Sequence, residues 1–172
     1  MKYKNITKTI AISKLHKHNK LYPTTIGKLT LKHLKKRTIK LVGFCDVNEK
    51  EIRYLLEDNT TSLRYLKTKL RKEYDGFIIN KKIFINEKFI ENEIKLLKII
   101  VHEMIHIIND LDNTKDLIKD EFLAYSAEYK FENRTDELDI NMVNKIKNHI
   151  CENYNVSQAK MKAFIDAIHI LT

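Results

Sequence analysis

Residues 94–108 read Ile-Lys-Leu-Leu-Lys-Ile-Ile-Val-His-Glu-Met-Ile-His-Ile-Ile and contain the most informative pattern in the chain. No Gly or Pro interrupts the segment, and its apolar residues recur at helical spacing, so it predicts a long helix over about residues 88–109. In such a helix His102 and His106 lie one turn apart on the same face, and Glu103 lies beside the first of them.

This His-Glu-x-x-His arrangement is suited to a metal centre. Two imidazoles four residues apart on a helix can converge on one tetrahedral ion. The carboxylate of Glu103 can then reach a water in the open metal position and take its proton. The residues around these three are apolar, and burying unpaired polar groups costs about 1–3 kcal/mol each, so a bound metal would explain their presence. The pattern predicts Zn2+ held by His102 and His106, with Glu103 as general base.

A third protein ligand would leave one metal position open for water, and two residues are candidates. Glu121 lies in a predicted helix at about residues 115–132, which can return antiparallel to the first helix. Ala124 would let the two helices approach closely. Asp112 follows His106 by six residues and would require the first helix to end sharply near Asn109. We prefer Glu121, because it lies on a rigid element.

The residues His102, Glu103, His106, Glu121 and Ala124 resemble the pattern of the gluzincin group of zincin metallopeptidases, in which Glu-x-x-Ala follows His-Glu-x-x-His. The compact size is similar to that of small ImmA/IrrE-type metallopeptidases and minimal toxin-like zincins. The resemblance covers about residues 75–132. It implies hydrolysis of a peptide bond in a protein or peptide substrate, with zinc bound by His102, His106 and Glu121. The short gap between His106 and Glu121 keeps Asp112 open as a metzincin-like alternative, although Asn109 stands where metzincins carry Gly.

The remaining segments predict an α+β fold. Residues 38–45 are typical of a strand, Asn48 can cap a short helix to Leu56, and residues 58–62 form a turn before an amphipathic helix. The two apolar runs in residues 77–85 flank a polar turn and predict a hairpin. Two further helices are expected over residues 139–151 and 157–171. Residues 1–37 predict no clear element beyond a short helix or strand with loops.

With the resemblance, these elements indicate a minimal zincin fold: a small, mostly antiparallel sheet, an active-site helix and C-terminal helices.

The 172 residues are 43% hydrophobic and 32% charged, which is typical of one globular domain over residues 1–172. We divide it into a basic portion at 1–74, a zinc-site core at 75–132 and C-terminal helices at 133–172. No signal peptide or transmembrane segment is evident, so a cytoplasmic location and reduced thiols at Cys45 and Cys151 are expected.

The net charge of +9 is unevenly distributed along the chain. Residues 1–75 contain 19 Lys and Arg against 7 Asp and Glu, and no acid precedes Asp46. An abundance of lysine throughout the chain explains this charge most simply. The alternative is a protein that binds nucleic acid or a partner through this half, with the zincin half regulatory or structural.

Other residues are secondary candidates for the site. Tyr125 can donate to an oxyanion, although a packing role is the simpler interpretation. One of three carboxylates, Glu128, Asp116 or Asp120, can orient a ligating histidine. His149 can reach the site from a later helix. The histidines of the basic portion are interpreted as solvated, namely His16, His18 and His33.

Overall fold

The fold is α+β, rich in helix, and a computed structural model describes it for residues 7–109 and 116–169, with residues 168 and 169 as backbone only. The elements in chain order are α1 Lys8–Leu21, α2 Thr25–Lys36, β1 Lys40–Gly43, α3 Glu49–Leu56, α4 Leu63–Glu73, β2 Gly76–Ile79, β3 Lys82–Ile85, α5 Glu93–Ile108, α6 Leu117–Asn133, α7 Ile140–Asn153 and α8 Gln158–His169.

The sheet has the strand order β1-β3-β2, with β3 in the middle. β2 pairs antiparallel with β3, as the hairpin pattern predicted, but β1 pairs parallel with β3. The sheet is therefore mixed, and the expectation of a mostly antiparallel sheet is wrong. The reason is the connection through α3 and α4, which brings the chain back to the end of the sheet where β1 finished. β2 therefore runs opposite to β1, and β3, which runs opposite to β2, is parallel to β1.

The hairpin between β2 and β3 turns at two residues with positive φ angles, Asn80 at 49° and Lys81 at 60°. Two consecutive left-handed residues form the turn whose twist matches that of paired strands. Asn tolerates this conformation well, which explains why a two-residue turn forms here without glycine.

Helix α5 begins later than the sequence predicted. A 3-10 helix occupies Glu87–Phe89, and α5 starts at Glu93, where the Asn92 side chain accepts a hydrogen bond from the backbone N–H of Lys95. Asn is a favoured N-cap residue because its side-chain oxygen satisfies a free backbone donor. The predicted strand at 38–45 is also shorter, since β1 starts at Lys40 and the last two predicted residues belong to a 3-10 helix at Phe44–Asp46.

The basic N-terminal segment forms two α-helices, which the sequence did not resolve. Their buried residues Ala11, Leu15 and Leu34 belong to the same apolar cluster as the buried face of α5. Arg37 extends this contact, because its side chain donates to the carbonyl of Ile107 at 2.8 Å. The N-terminal helices are thus part of the core that supports the His-Glu-x-x-His helix.

The sheet is packed on both faces. Ile83 and Ile85 point into the cluster around α5, while Phe84 between them points into a second cluster with residues of α3 and α4. This alternation follows from the two-residue period of a strand. A third cluster joins α6, α7 and α8. In the parts of the chain that the structure covers, no helix combines the length and apolarity that crossing a bilayer requires.

Candidate metal centre

Two adjacent helices carry the residues predicted for the metal site. α5 carries His102, Glu103 and His106, and α6 carries Glu121. Ala124, one turn after Glu121, is fully buried in the cluster that contains the buried face of α5. Because Ala has only a methyl side chain, it lets the backbones of α5 and α6 approach closely next to Glu121.

The three predicted ligands lie together. Nε2 of His102 is 3.6 Å from Oε2 of Glu121, and Nε2 of His106 is 3.8 Å from Oε1 of the same carboxylate. One donor atom from each of the three residues falls within 4.8 Å of the others. A tetrahedral zinc site with bonds of about 2.0–2.1 Å separates its donor atoms by about 3.4 Å. The two histidine–glutamate distances exceed that value by only a few tenths of an ångström.

Glu121 is well placed to be a ligand for an additional reason. Its Oε2 is buried and has no hydrogen-bond partner among the described residues. Burial favours the neutral form of this carboxyl, but its contacts with His102 and Tyr154 and the charge of His106 outweigh burial and lower the pKa. A buried, ionised and under-coordinated oxygen fits a cation. Together the donors can hold a divalent metal such as zinc.

His102 contacts a second carboxylate through its other nitrogen. Nδ1 lies 3.3 Å from Oε2 of Glu128, at ion-pair distance but outside hydrogen-bond geometry. Burial lowers the pKa of His102, but its close contacts with Glu121 and Glu128 and the charges of Glu103 and Glu128 outweigh burial and raise the pKa to about 10. Of the three carboxylates considered as orienting groups, Glu128 is the one that contacts His102, whereas Asp116 caps α6 through the backbone N–H of Lys119.

Lys98 extends this network and was missed by the sequence analysis. Its Nζ lies 3.2 Å from Oε1 of Glu128 and 2.7 Å from Oε2 of Glu132. Lys98 precedes His102 by four residues, so both side chains project from one face of α5. That spacing is the only sequence signal for its role, and lysine at a helix surface is too common for the signal to be noticed.

Glu103 is buried, with 7% of the residue exposed. Burial is the largest effect on its carboxyl and raises the pKa to about 7; the charge of His102 opposes this rise, and the carboxylates Glu121 and Glu128 add to it. Gly76, at the start of β2, explains how the sheet comes so near: a Cβ there would lie 3.2 Å from Oε1 of Glu103 and 2.4 Å from Cγ2 of Ile99. Because Gly76 has no side chain, the edge strand β2 can pass close to the carboxyl of Glu103.

Tyr125 and His149 form a pair on the α7 side of the site. The Tyr125 hydroxyl lies 2.8 Å from Nε2 of His149, and its ring packs edge-on against His102 with centroids 4.5 Å apart. Tyr154, at the end of α7, was not singled out from the sequence. Burial raises the pKa of its hydroxyl, and the neighbouring Glu121 and Tyr125 raise it further. A lone tyrosine at a helix end gives no sequence signal of such a position.

The remaining sequence candidates lie elsewhere. Asp112 lies outside the described residues. His18 is buried and stacks on Phe131 with ring centroids 4.4 Å apart, so its interpretation as solvated is wrong. The reason is that α1 turns this side chain inward onto α6. Cys45 and Cys151 are free thiols, and burial together with Glu87 raises the pKa of Cys45 to about 11, which disfavours the thiolate that binds metal.

The chain was compared with protein-family models, with curated proteins and with solved structures. No family model, no curated protein and no solved structure matches it.

Proposed function

We propose that this protein is a zinc-dependent metallopeptidase of the zincin type, with His102, His106 and Glu121 as ligands and Glu103 as general base. The proposal depends on one observation above all. Donor atoms of the three residues, supplied by two different helices, come within 4.8 Å of one another beside a buried glutamate. Two imidazoles and one carboxylate form a ligand set that suits zinc and leaves a position for water.

Zinc bound there would polarise a substrate carbonyl and lower the pKa of a coordinated water. In this mechanism Glu103 accepts the proton of that water and passes it to the leaving amine. Its neighbour His102 is one of the proposed ligands, so the Glu103 carboxylate would lie beside the metal position and could take a proton from a water bound there.

The surrounding side chains would keep the ligands in place. Glu128 faces Nδ1 of His102, so a proton on Nδ1 leaves Nε2 free for the metal. Glu128 is itself held by Lys98 at 3.2 Å. Rigid support of this kind limits the reorganisation that metal binding and catalysis require.

The sheet supports a peptide as the substrate. β2 is an edge strand in the order β1-β3-β2, so one side of its backbone is not paired within the sheet. An extended peptide can add to such an edge through backbone hydrogen bonds. The close approach of Gly76 to Glu103 would bring the peptide bond of that strand-like substrate near the general base.

The decisive experiment separates metal binding from hydrolysis. Glu103→Gln should retain one zinc per chain and lose peptidase activity, because the amide cannot take the proton. Activity is measured on an unstructured protein substrate such as casein, and zinc by elemental analysis. Glu73→Gln, an exposed glutamate on α4, is the matched control and should retain both. Full activity in Glu103→Gln would refute the mechanism, and a wild-type chain that binds no zinc would refute the proposal as a whole.

A further inference from the structure

A groove with a basic lining lies between α1 and α2, away from the residues proposed to bind zinc. Its volume is about 360 Å³ and it is open to solvent. The polar and charged side chains that line it are His16, Asn19, Lys20, Lys28, Lys32 and Lys35. No carboxylate is among them.

The lysines of α2 form a row. Lys28, Lys32 and Lys35 follow one another at four and three residues, so they lie on one face of the helix, and all three are exposed. With a rise of about 1.5 Å per residue, the row extends over roughly 10 Å. Lys20 faces it from α1. Like charges at such spacing repel each other by a few tenths of a kcal/mol, so the groove favours a polyanion that neutralises several of them at once.

The positive charge of the groove is largely uncompensated. Within the described residues, none of these four lysines forms a salt bridge with a carboxylate. Asp136 lies near one end, where it accepts hydrogen bonds from Thr25; these bonds lower its pKa, and Lys28 adds to the effect. Lys20, Lys32 and Lys35 therefore carry most of the free charge.

Asn19 adds a second kind of group to the groove. Both Nδ2 and Oδ1 of its amide are buried, and neither has a hydrogen-bond partner in the described part of the chain. Buried amides in proteins are normally bonded to protein, water or ligand. Oδ1 packs against Gly27 of α2, where a Cβ would lie only 2.3 Å from it, so this amide lies at the close contact between α1 and α2.

We propose that this groove binds the phosphate backbone of a double-stranded nucleic acid without reading its sequence. The lining matches the chemistry of backbone contacts, in which lysines bind phosphate oxygens. Among residues 7–109 and 116–169, no Tyr, Trp or Phe lines the groove, so this lining lacks the stacking groups typical of single-strand sites.

Two other anionic partners fit less well. Protein–protein interfaces are typically built around Trp, Tyr and Arg anchors and are depleted of lysine at their centre, and none of the described residues that line the groove is such an anchor. A membrane surface would favour a convex helix face with apolar residues that insert, whereas these lysines line a concavity.

The test is fluorescence anisotropy of a labelled 30-base-pair duplex of mixed sequence with the full chain, at 50 and 200 mM NaCl. The variant Lys20→Gln/Lys32→Gln/Lys35→Gln removes three charges from the groove. The control Lys145→Gln/Lys160→Gln/Lys162→Gln removes three charges from exposed lysines of α7 and α8. Glutamine has a helix propensity close to that of lysine, so both variants should fold, which circular dichroism checks.

The wild-type chain should bind the duplex, and raising NaCl from 50 to 200 mM should weaken its affinity about 40-fold more than it weakens that of the groove variant. This factor assumes three phosphate contacts, each of which contributes about 0.9 to the slope of log affinity against log salt concentration. The control should follow the wild type. If the groove variant fails to fold, Lys32→Gln alone should show a difference of about 3.5-fold by the same relation.

Three results would overturn the proposal. The first is no binding by the wild type at 50 mM NaCl. The second is an equal loss in both triple variants, which would mean that only net charge matters. The third is displacement of the duplex by polyglutamate or by phosphatidylserine vesicles at a lower charge concentration than unlabelled duplex needs, which would identify an acidic protein or a membrane as the better ligand.

Discussion

Replacing Glu128 by Gln tests whether the network behind His102 prepares it to bind zinc. The substitution preserves the shape of the side chain and removes the charge that faces Nδ1 of His102 at 3.3 Å. Two unit charges at that separation would interact by about 5 kcal/mol at an effective dielectric constant of about 20, and this is an upper bound because a histidine that binds zinc is a neutral imidazole. The amide oxygen still faces Nδ1, so the realised loss is smaller. Carboxylates behind a ligating histidine typically contribute 10–100-fold to metal affinity, or about 1.4–2.8 kcal/mol.

The assay is competition for zinc with a chromogenic chelator at pH 7.5. Glu128→Gln should weaken zinc binding by 10–100-fold relative to the wild type. The matched control is Glu132→Gln, because Glu132 also binds Lys98, at 2.7 Å, but it is more exposed than Glu128. That variant should change zinc affinity by less than about 3-fold, since the pair at the surface contributes little. Equal affinities of Glu128→Gln and wild type, or an equal loss in both variants, would show that Glu128 does not orient His102.

The remaining predictions concern the third ligand, a helix cap and pH. Glu121→Ala should abolish stoichiometric zinc binding and Asp112→Ala should retain it, as elemental analysis after dialysis would show; the reverse pattern would identify Asp112 as the ligand. Asn48→Ala should lower the free energy of unfolding by about 1 kcal/mol in urea denaturation, because Asn48 forms a capping box at α3, and no change would contradict this role. Burial, then the charge of Arg134, lowers the pKa of His18, so the unfolded chain binds its proton more readily. The free energy of unfolding should keep its full value above pH 6.5 and fall as the pH drops below 6.5. The fall should be smaller in His18→Gln, and parallel pH profiles of the two proteins would refute this.

Local chemistry explains why several elements were predicted correctly. Asn48 caps α3, which ends at Leu56 as expected, and the two-residue turn at Asn80 and Lys81 joins the predicted hairpin. Capping and tight turns depend on residues within a few positions of each other, so they can be inferred from a short window of sequence.

Long-range contacts explain the errors. The parallel pairing of β1 with β3 joins residues about 40 positions apart, and nothing in either strand specifies its direction. The inward position of His18 likewise depends on Phe131 in a helix that begins nearly 100 residues later. In both cases the tertiary partner, which a single sequence does not identify, decided the outcome.

The spacing of His102, Glu103 and His106 alone predicts that they share one region of an apolar helix, because four residues match the helical repeat. The sequence also indicated Glu121 as a candidate, but not its distance from the histidines. The tertiary structure adds that α6 packs on α5 around the buried Ala124, with the Glu121 carboxylate 3.6 Å from His102, and that Lys98 and Glu128 lie behind that histidine. A helix specifies the order of its own side chains, whereas the packing of buried surfaces between helices decides which side chains of separate segments meet.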